Sequence, residues 1–542
     1  MNTRVLITSV LLSVFFIGSI VAQNNRANLV ASATPEATKA GTLVLDKGGN
    51  AIDAAVAVAF TLGVTEPAMS GIGGRTMLIV SIPNKPPVAI GGITLTPSVL
   101  ESEIEKKDLT YYKQISIPSQ VKVLHYTWKK YGSGKIEWKE LLQPAIHYAE
   151  KGFMVGMHRH HIFKKLEKKL IESPHHNKEL LVEGGIPAIG DIVKQPTLAN
   201  TLKRLATYGA DDFYKGQIAK NIAEDMANNG GWISYNDLAN FPEPKELNPL
   251  HSTYRGYDVY SFMPPGGGWG VLLALNLLEN VTVDELNKDS FSRTEILIKV
   301  LNKTHNDRRD APILDHINYQ SEINKKLSKE YAKEMFYQNI FSEDINQKDN
   351  GEGETTHVSI VDKNGVAVSI TSSVGGYFGS VTSTKKLGFF YNSYIKSLMG
   401  FGFGKPKSIQ PNALIPSSMS PSLVRKNGEN VLVIGTPGSK RIVSTISQLI
   451  QLWIDGDKSI NEIIKYPRVH AINNEVYLED QSLESEELQK IRANGYKIVF
   501  PSYDLTKSGL NAYFGGVHAI EFKNDIWKAA ADPRRDGTSS QN

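Results

Sequence analysis

Residues 354–373 read Glu354-Thr355-Thr356-His357-Val358-Ser359-Ile360-Val361-Asp362-Lys363-Asn364-Gly365-Val366-Ala367-Val368-Ser369-Ile370-Thr371-Ser372-Ser373. Two runs of alternating apolar and polar side chains flank Asp-Lys-Asn-Gly, so the stretch is a β-hairpin with glycine at the left-handed turn position. Centring the turn on residue 364 places Thr355 opposite Ser373, within reach across the ladder. A hydroxyl opening a core strand, a second hydroxyl beside it and an acidic Gly351-Glu352-Gly353-Glu354 lead-in together point to self-cleavage at Glu354–Thr355. The cut would free an α-amino group on Thr355 with a pKa of about 7.7–8.0, able to act as base for its own hydroxyl at neutral pH. A threonine-rich strand with no chemistry accounts for the same residues. The stretch alone leaves both readings open.

Helix and strand signals alternate through the rest of the chain. Thr34-Pro35-Glu36 caps and opens a helix that Gly48-Gly49 stops, and Asn50 caps a second over Ala51–Leu62, apolar on all sides and therefore buried. Met77–Ile82 and Val88–Ile90 read as strands, and Tyr126–Asp225 as mostly helical. A β-rich stretch ends at Met263-Pro264-Pro265, and Val271–Leu278 begins another helix. Residues 314–354 are polar and increasingly irregular, as an exposed segment would be. Beyond 355 the chain is strand-rich, with one long helix near 443–455 and no internal repeat.

The N-terminus adds a destination. Asn2-Thr3-Arg4, the apolar run Val5–Ile20 and the small-residue exit Val21-Ala22 form a secretory signal peptide cut after Ala22. The run is shorter than the roughly 20 residues of a spanning helix. The mature chain is therefore expected to be secreted or periplasmic, off the membrane once the signal is removed.

Composition narrows the chemistry. The 542 residues are 41% hydrophobic and 21% charged, which is globular usage. Sixty Lys+Arg against fifty-six Asp+Glu leaves a net charge of +4, too little for nucleic acid to be a partner. There is no cysteine, which removes disulfides, thiolate metal sites and cysteine nucleophiles. Gly400-Phe401-Gly402-Phe403-Gly404-Lys405 fails as a phosphate loop because Pro406 stands where Ser or Thr must bind magnesium. No Gly-x-Ser-x-Gly elbow occurs. His158, His160, His161, His175 and His176 lie among Lys and Arg without carboxylates at ligand spacing, and read as an exposed basic helical surface. No metal or cofactor is expected.

Blocks along the chain resolve the ambiguity at Thr355. They are Lys47-Gly48-Gly49-Asn50-Ala51-Ile52-Asp53-Ala54-Ala55, Glu66-Pro67, Ser70-Gly71-Ile72-Gly73-Gly74, Lys130-Tyr131-Gly132, Pro144-Ala145-Ile146 with Ala149–Phe153, and Met263-Pro264-Pro265. Thr355-Thr356-His357, Ser417-Ser418-Met419-Ser420-Pro421, Thr436-Pro437-Gly438-Ser439 and Asp532-Pro533-Arg534 follow. In this order they resemble the γ-glutamyltransferase (glutathione hydrolase) family of N-terminal-nucleophile hydrolases. The resemblance runs from about residue 28 to 537.

The resemblance implies a four-layer αββα sandwich, made as a proenzyme and cut before Thr355. Residues 1–22 are then the signal, 23–354 the large subunit and 355–542 the small subunit of one domain, the two staying tightly associated. It implies that Thr355 is the nucleophile and that Ser373 stands where the family has a Thr bonded to the nucleophile. Gly438 and Ser439 take the positions whose backbone N–H groups form the oxyanion hole. Backbone donors do not depend on side-chain identity, so Ser439 in place of Gly crowds the hole without abolishing it.

The family's glutamyl reader is largely absent. Aligning Thr96-Pro97 with the usual Ala-Pro places Ile93 where an Arg holds the glutamyl α-carboxylate. Gly375 replaces an Asn, while Tyr394 and Ser397 replace the Gln and Asp that bind the α-amino group. Only the Ser417-Ser418 pair of that pocket remains. Arg75, beside the first glycine-rich block, is a candidate for restoring a carboxylate contact, against a surface or structural role. The expected activity is hydrolysis or acyl transfer on a small-molecule amide or peptide whose acyl group is not a standard γ-glutamyl. The alternatives are a true γ-glutamyl enzyme acting on glutathione with a rearranged pocket, and a non-catalytic binding protein on this scaffold.

Overall fold

The computed structural model describes residues 27–541 except 92, 102–103, 106, 177, 311–318, 339–353, 399–408, 480–482 and 502–508. The signal sequence with its Ala22 cut, the Gly400–Pro406 stretch and the Gly351–Gly353 lead-in lie outside the described residues. Among the described residues no helix is long and apolar enough to cross a membrane.

Strands Leu29–Ser32 (β1), Arg75–Ser81 (β2), Val88–Gly91 (β3), Glu246–Leu247 (β4), Leu250–Tyr254 (β5), Tyr257–Ser261 (β6), Glu354–Val361 (β7), Ala367–Gly375 (β8), Ser422–Lys426 (β9), Glu429–Gly435 (β10), His518–Lys523 (β11), Ile526–Ala531 (β12) and Thr538–Ser539 (β13) build two sheets. The seven-stranded sheet runs β13-β1-β7-β8-β2-β3-β4 and the six-stranded sheet β12-β11-β10-β9-β6-β5. The pairings are antiparallel throughout. Helices Pro35–Asp46 (α1) and Ala51–Thr65 (α2) cover the outer face of the first sheet. Helices Gly268–Leu278 (α3), Ser290–Asp310 (α4) and, beyond the short Tyr394–Leu398 (α5), Arg441–Asp455 (α6) cover the outer face of the second. The result is the expected αββα sandwich.

Local chemistry explains why these elements form where they do. Thr34 Oγ1 accepts the N–H of Ala37 at 3.3 Å, with Pro35 in the first turn of α1. Asn50 and Asp53 form a reciprocal capping box on α2, nearly all of whose residues are buried. The central hairpin obeys a period of two. Val358, Ile360, Val368 and Ile370 point to α1 and α2. The opposite face, which meets the second sheet, is polar. There Ser359 Oγ donates to the His518 carbonyl at 2.9 Å, and Ser369 Oγ donates to that of Ile434 at 3.2 Å. The sheets approach so closely that a Cβ on Gly435 would lie 2.2 Å from the His357 ring. Burial holds that imidazole well below its usual pKa, so it stays neutral.

Two expectations fail. The segment read as irregular contains helices Gln320–Lys326 and Lys329–Tyr337, which bury Ile323, Ala332 and Phe336. Three anchors suffice for docking, but they are outnumbered by polar residues in the sequence. Nor is the histidine-rich helix Met157–Lys165 an exposed basic surface. His158 and Arg159 are buried, and Arg159 pairs with Glu36 at 3.2 Å and Asp536 at 3.3 Å. His176 is buried too, its Nε2 on the Leu170 carbonyl at 2.6 Å. Carboxylates brought from distant segments neutralise what reads locally as a positive run.

Candidate active site

The register of β7 and β8 pairs Thr355 with Ser373, and that of β8 and β2 pairs Ser373 with Arg75. Three neighbouring strands therefore carry three of the expected residues side by side. Glu354 and Thr355 open strand β7 as consecutive buried residues. Thr355 is 5% exposed, and its Oγ1 has no hydrogen-bond partner among the described residues. A buried hydroxyl normally finds a partner, and Thr355 Oγ1 is an exception among the described residues. Ser373 Oγ donates to the Glu354 carbonyl oxygen at 2.7 Å and accepts the Gly375 N–H at 2.8 Å. The second hydroxyl is thus engaged by the carbonyl of the candidate scissile bond, rather than by Thr355 Oγ1.

The first glycine-rich block makes this geometry accessible. A Cβ on Gly74 would lie 2.0 Å from the Ser373 carbonyl oxygen, and one on Gly73 would lie 2.2 Å from that of Phe390. Only glycine allows the main chain so close. The Ser373 carbonyl also accepts the Tyr394 hydroxyl at 2.5 Å. Tyr394 lies at the start of α5 with its ring under the Arg75 guanidinium, 4.0 Å from centroid to Cζ. Arg75 is 3% exposed and donates through Nη1 to the Ile415 carbonyl at 2.8 Å and through Nη2 to that of Pro416 at 3.0 Å. Both terminal nitrogens thus hold the main chain leading to Ser417.

The other expected pocket residues lie around this centre. Gly375 has φ of +96°, beyond an irregularity in the ladder after Ser373, and a Cβ there would sit 2.5 Å from Ser393 Oγ. The backbone itself, and not only the side chain, is arranged for glycine. Ser397 is half-buried on α5, and Ile93 lines an apolar recess with Met77, Leu247, Phe262 and Met263. Ser417 donates its N–H to the Pro265 carbonyl at 2.8 Å, and Ser418 Oγ accepts from Arg308 at 3.4 Å.

Gly438 and Ser439 precede α6 with φ of +130° and +54°, so a non-glycine residue occupies the left-handed region at Ser439. This turn is tied to the reacting end through Arg441, the first residue of α6. Arg441 Nη2 reaches Glu354 Oε1 at 3.2 Å, and Arg535 Nη2 reaches Glu354 Oε2 at 2.9 Å. All three residues are buried. Behind them lies Glu66, whose carboxyl burial pushes up to about 7 against the pull of Arg535.

Sequence reasoning missed the Glu354, Arg441 and Arg535 cluster and the raised carboxyl of Glu66 behind it. One signal was available: a cation at the first position of a helix opposes the macrodipole, so Arg441 calls for a partner. Among the described residues no group of three His, Asp or Glu side chains is gathered for a metal.

Comparison with known proteins places this geometry. The chain matches the γ-glutamyltranspeptidase family over residues 37–542. It is 30% identical over 510 residues to the glutathione hydrolase proenzyme of Escherichia coli, covering 87% of this chain and 86% of that protein. It is equally similar, 30% over 533 residues, to the acylase ACY 1 proenzyme of a Pseudomonas species, covering 94% and 92%. The cephalosporin acylase of Bacillus halodurans shares the fold, with a TM-score of 0.83 at 22% identity over 95% of this chain and 96% of that one. The chain therefore belongs to the γ-glutamyltranspeptidase family, as a self-processing amide hydrolase and acyltransferase of the N-terminal-nucleophile type.

Proposed function

We propose that the chain is exported, cuts itself between Glu354 and Thr355, and then uses Thr355 to hydrolyse or transfer an acyl group that is not a standard γ-glutamyl. The observation that carries this reading is the buried, unpartnered Thr355 hydroxyl beside a Glu354 carbonyl that Ser373 polarises. Residues 23–354 and 355–542 then remain together as two subunits, secreted or periplasmic, off the membrane and free of nucleic acid.

Once cut, the Thr355 α-amine, with a pKa of about 7.7–8.0, takes the proton of its own hydroxyl as Oγ1 attacks a substrate carbonyl. The N–H groups of Gly438 and Ser439 stabilise the developing oxyanion, each worth roughly 3 kcal/mol. The amine then protonates the leaving nitrogen, and water or an acceptor amine takes the acyl group from Oγ1. Ile93, Gly375, Tyr394 and Ser397 form a wall without the charges an α-amino-acid head group needs, with Ser417 and Ser418 beside it. We assign Arg75 to holding the 415–416 main chain and Tyr394.

A second reading, a γ-glutamyl enzyme acting on glutathione, draws on the Ser417–Ser418 pair and on the likeness to a glutathione hydrolase. Intact-mass measurement and γ-glutamyl p-nitroanilide turnover test both. Wild type should give two chains and Thr355→Ala one, with γ-glutamyl turnover orders of magnitude below that of other amides. Ile93→Arg with Ser397→Asp should raise γ-glutamyl turnover by more than the product of the single gains. A folded wild-type chain that stays whole would sink the first reading. Efficient glutathione hydrolysis would favour the second.

A further inference from the structure

A cavity of about 400 Å³ lies between the first turn of α4 and the chain that follows α6. Small-molecule sites start at about 300 Å³. α6 begins at Arg441, next to the Gly438–Ser439 turn, and its 15 residues carry it away from there. At about 1.5 Å per residue its last turn, where the cavity sits, is roughly 20 Å from that turn.

The cavity holds a buried cation without a counter-charge. Arg293, on α4, lines it and is 7% exposed. Its Nη2 donates to Gln451 Oε1 at 3.2 Å, and its Nε is buried without a partner. No carboxylate pairs with this guanidinium among the described residues. Burial lowers its pKa to about 10, so it is charged at neutral pH. The Asp455 carboxylate reaches it only through Gln451, whose Nε2 donates to Asp455 Oδ2 at 3.2 Å. That carboxylate is already taken by Arg255 at 2.8 Å and by the Tyr254 hydroxyl at 2.6 Å.

A second cation lines the same cavity. Lys458 is half-buried, and its Nζ lies 5.9 Å from the centroid of the Tyr466 ring, with Arg293 Cζ at 5.6 Å from the same point. Two cations thus converge on one aromatic ring. The acid among the lining residues is Asp289, which is exposed and accepts from the Ser292 N–H at 2.7 Å and Oγ at 3.0 Å. The lining therefore carries one net positive charge, which matches a monoanion better than a doubly charged phosphate. Leu286, Pro467 and Val469 supply apolar wall beside the cations. Leaving a buried cation unpaired is unfavourable, and an anion in the cavity relieves it.

We infer that this cavity is a binding site for a small organic carboxylate, its charged end between Arg293 and Lys458 and its apolar body against Leu286, Pro467 and Val469. Because the cavity lies away from Thr355, the inference stands apart from the self-processing reading.

Calorimetric titration of the full-length protein at fixed ionic strength tests it, with 3-phenylpropionate, 3-phenylpropionamide and inorganic phosphate as probes. The carboxylate should bind at least roughly tenfold tighter than the amide, which keeps the apolar body and loses the charge. It should exceed phosphate by a similar factor. Arg293→Gln should weaken carboxylate binding at least roughly tenfold and leave the amide unchanged. Should that variant not fold, two milder ones decide. Lys458→Gln should weaken the carboxylate about threefold, and Asp289→Asn should strengthen it about threefold. Equal binding of carboxylate and amide, tighter binding of phosphate, or no binding of any probe overturns the inference. So does a carboxylate affinity that the variants leave unmoved, since the ligand then sits elsewhere.

Discussion

The Thr355 end of the central hairpin and the wall proposed to face the acyl group are built by different means. At the reacting end, position follows from main chain: the strand register sets Thr355 against Ser373, and Gly74 lets the backbone touch the Ser373 carbonyl. At the wall, side chains do the work, and several have been turned to internal use. Arg75 and Tyr394 hold carbonyl groups, and Ile93 packs in an apolar recess. Bond-making geometry fixed by backbone resists single substitutions, whereas a wall made of side chains can be rewritten residue by residue. The likeness to both a glutathione hydrolase and an acylase fits this division.

The comparison breaks most visibly at Gly74. Gly74→Ala puts a methyl group 2.0 Å from a carbonyl oxygen that cannot retreat without disturbing the Thr355–Ser373 register. The expected result is a loss of about 4 kcal/mol or more and an uncut chain, read by urea denaturation and intact mass. Wild-type-like stability with normal cutting would show that the register is looser than the contact implies.

A smaller, pH-dependent effect should appear behind the reacting end. Glu66 has its carboxyl raised from 4.5 to about 7 by burial, so the folded chain binds this proton more tightly than the unfolded one. Stability should therefore fall as pH rises from about 4.5 to 7, with a penalty of about 3 kcal/mol above that window. In the uncut Thr355→Ala background, Glu66→Gln should match its parent near pH 4.5 and exceed it by up to that amount at pH 8. A pH-independent difference between the two would mean that Glu66 stays ionised.

The smallest expected effect sharpens the contrast. Ser439 holds φ of +54° while its proposed role is carried by its N–H alone. Ser439→Gly should gain about 0.5–1 kcal/mol and keep the wild-type kcat. A large fall in kcat would instead assign the hydroxyl a role at the reacting end.

The parts of the molecule legible in the sequence are those decided by short-range rules. Alternation and a four-residue turn were enough to place Thr355 opposite Ser373, and hydroxyl and amide caps marked the starts of α1 and α2. What escaped was decided over long separations. Glu354 meets Arg441 and Arg535 only because two sheets and a helix fold together, and no local pattern encodes that meeting. The burial of His158 and Arg159 depends in the same way on Glu36 and Asp536. Gly375 was legible as a replaced residue but not as a changed backbone, because a positive φ leaves no trace in composition.

The strand order carries a consequence for the life of the molecule. β7 and β8 lie in the middle of the first sheet, between β1 and β2, and β13 closes its far edge. A cut before Thr355 therefore leaves strands from both pieces interleaved in one sheet and one core. Assembly as a single chain is unimolecular, but reassembly of the separated pieces must wait for collision and so depends on concentration. The cut enzyme is then held together by the slowness of its unfolding, and refolding it from denaturant should fail at dilutions where uncut Thr355→Ala recovers. Maturation would work as a ratchet: the peptide bond that guides folding is spent in making the enzyme, and each molecule folds only once.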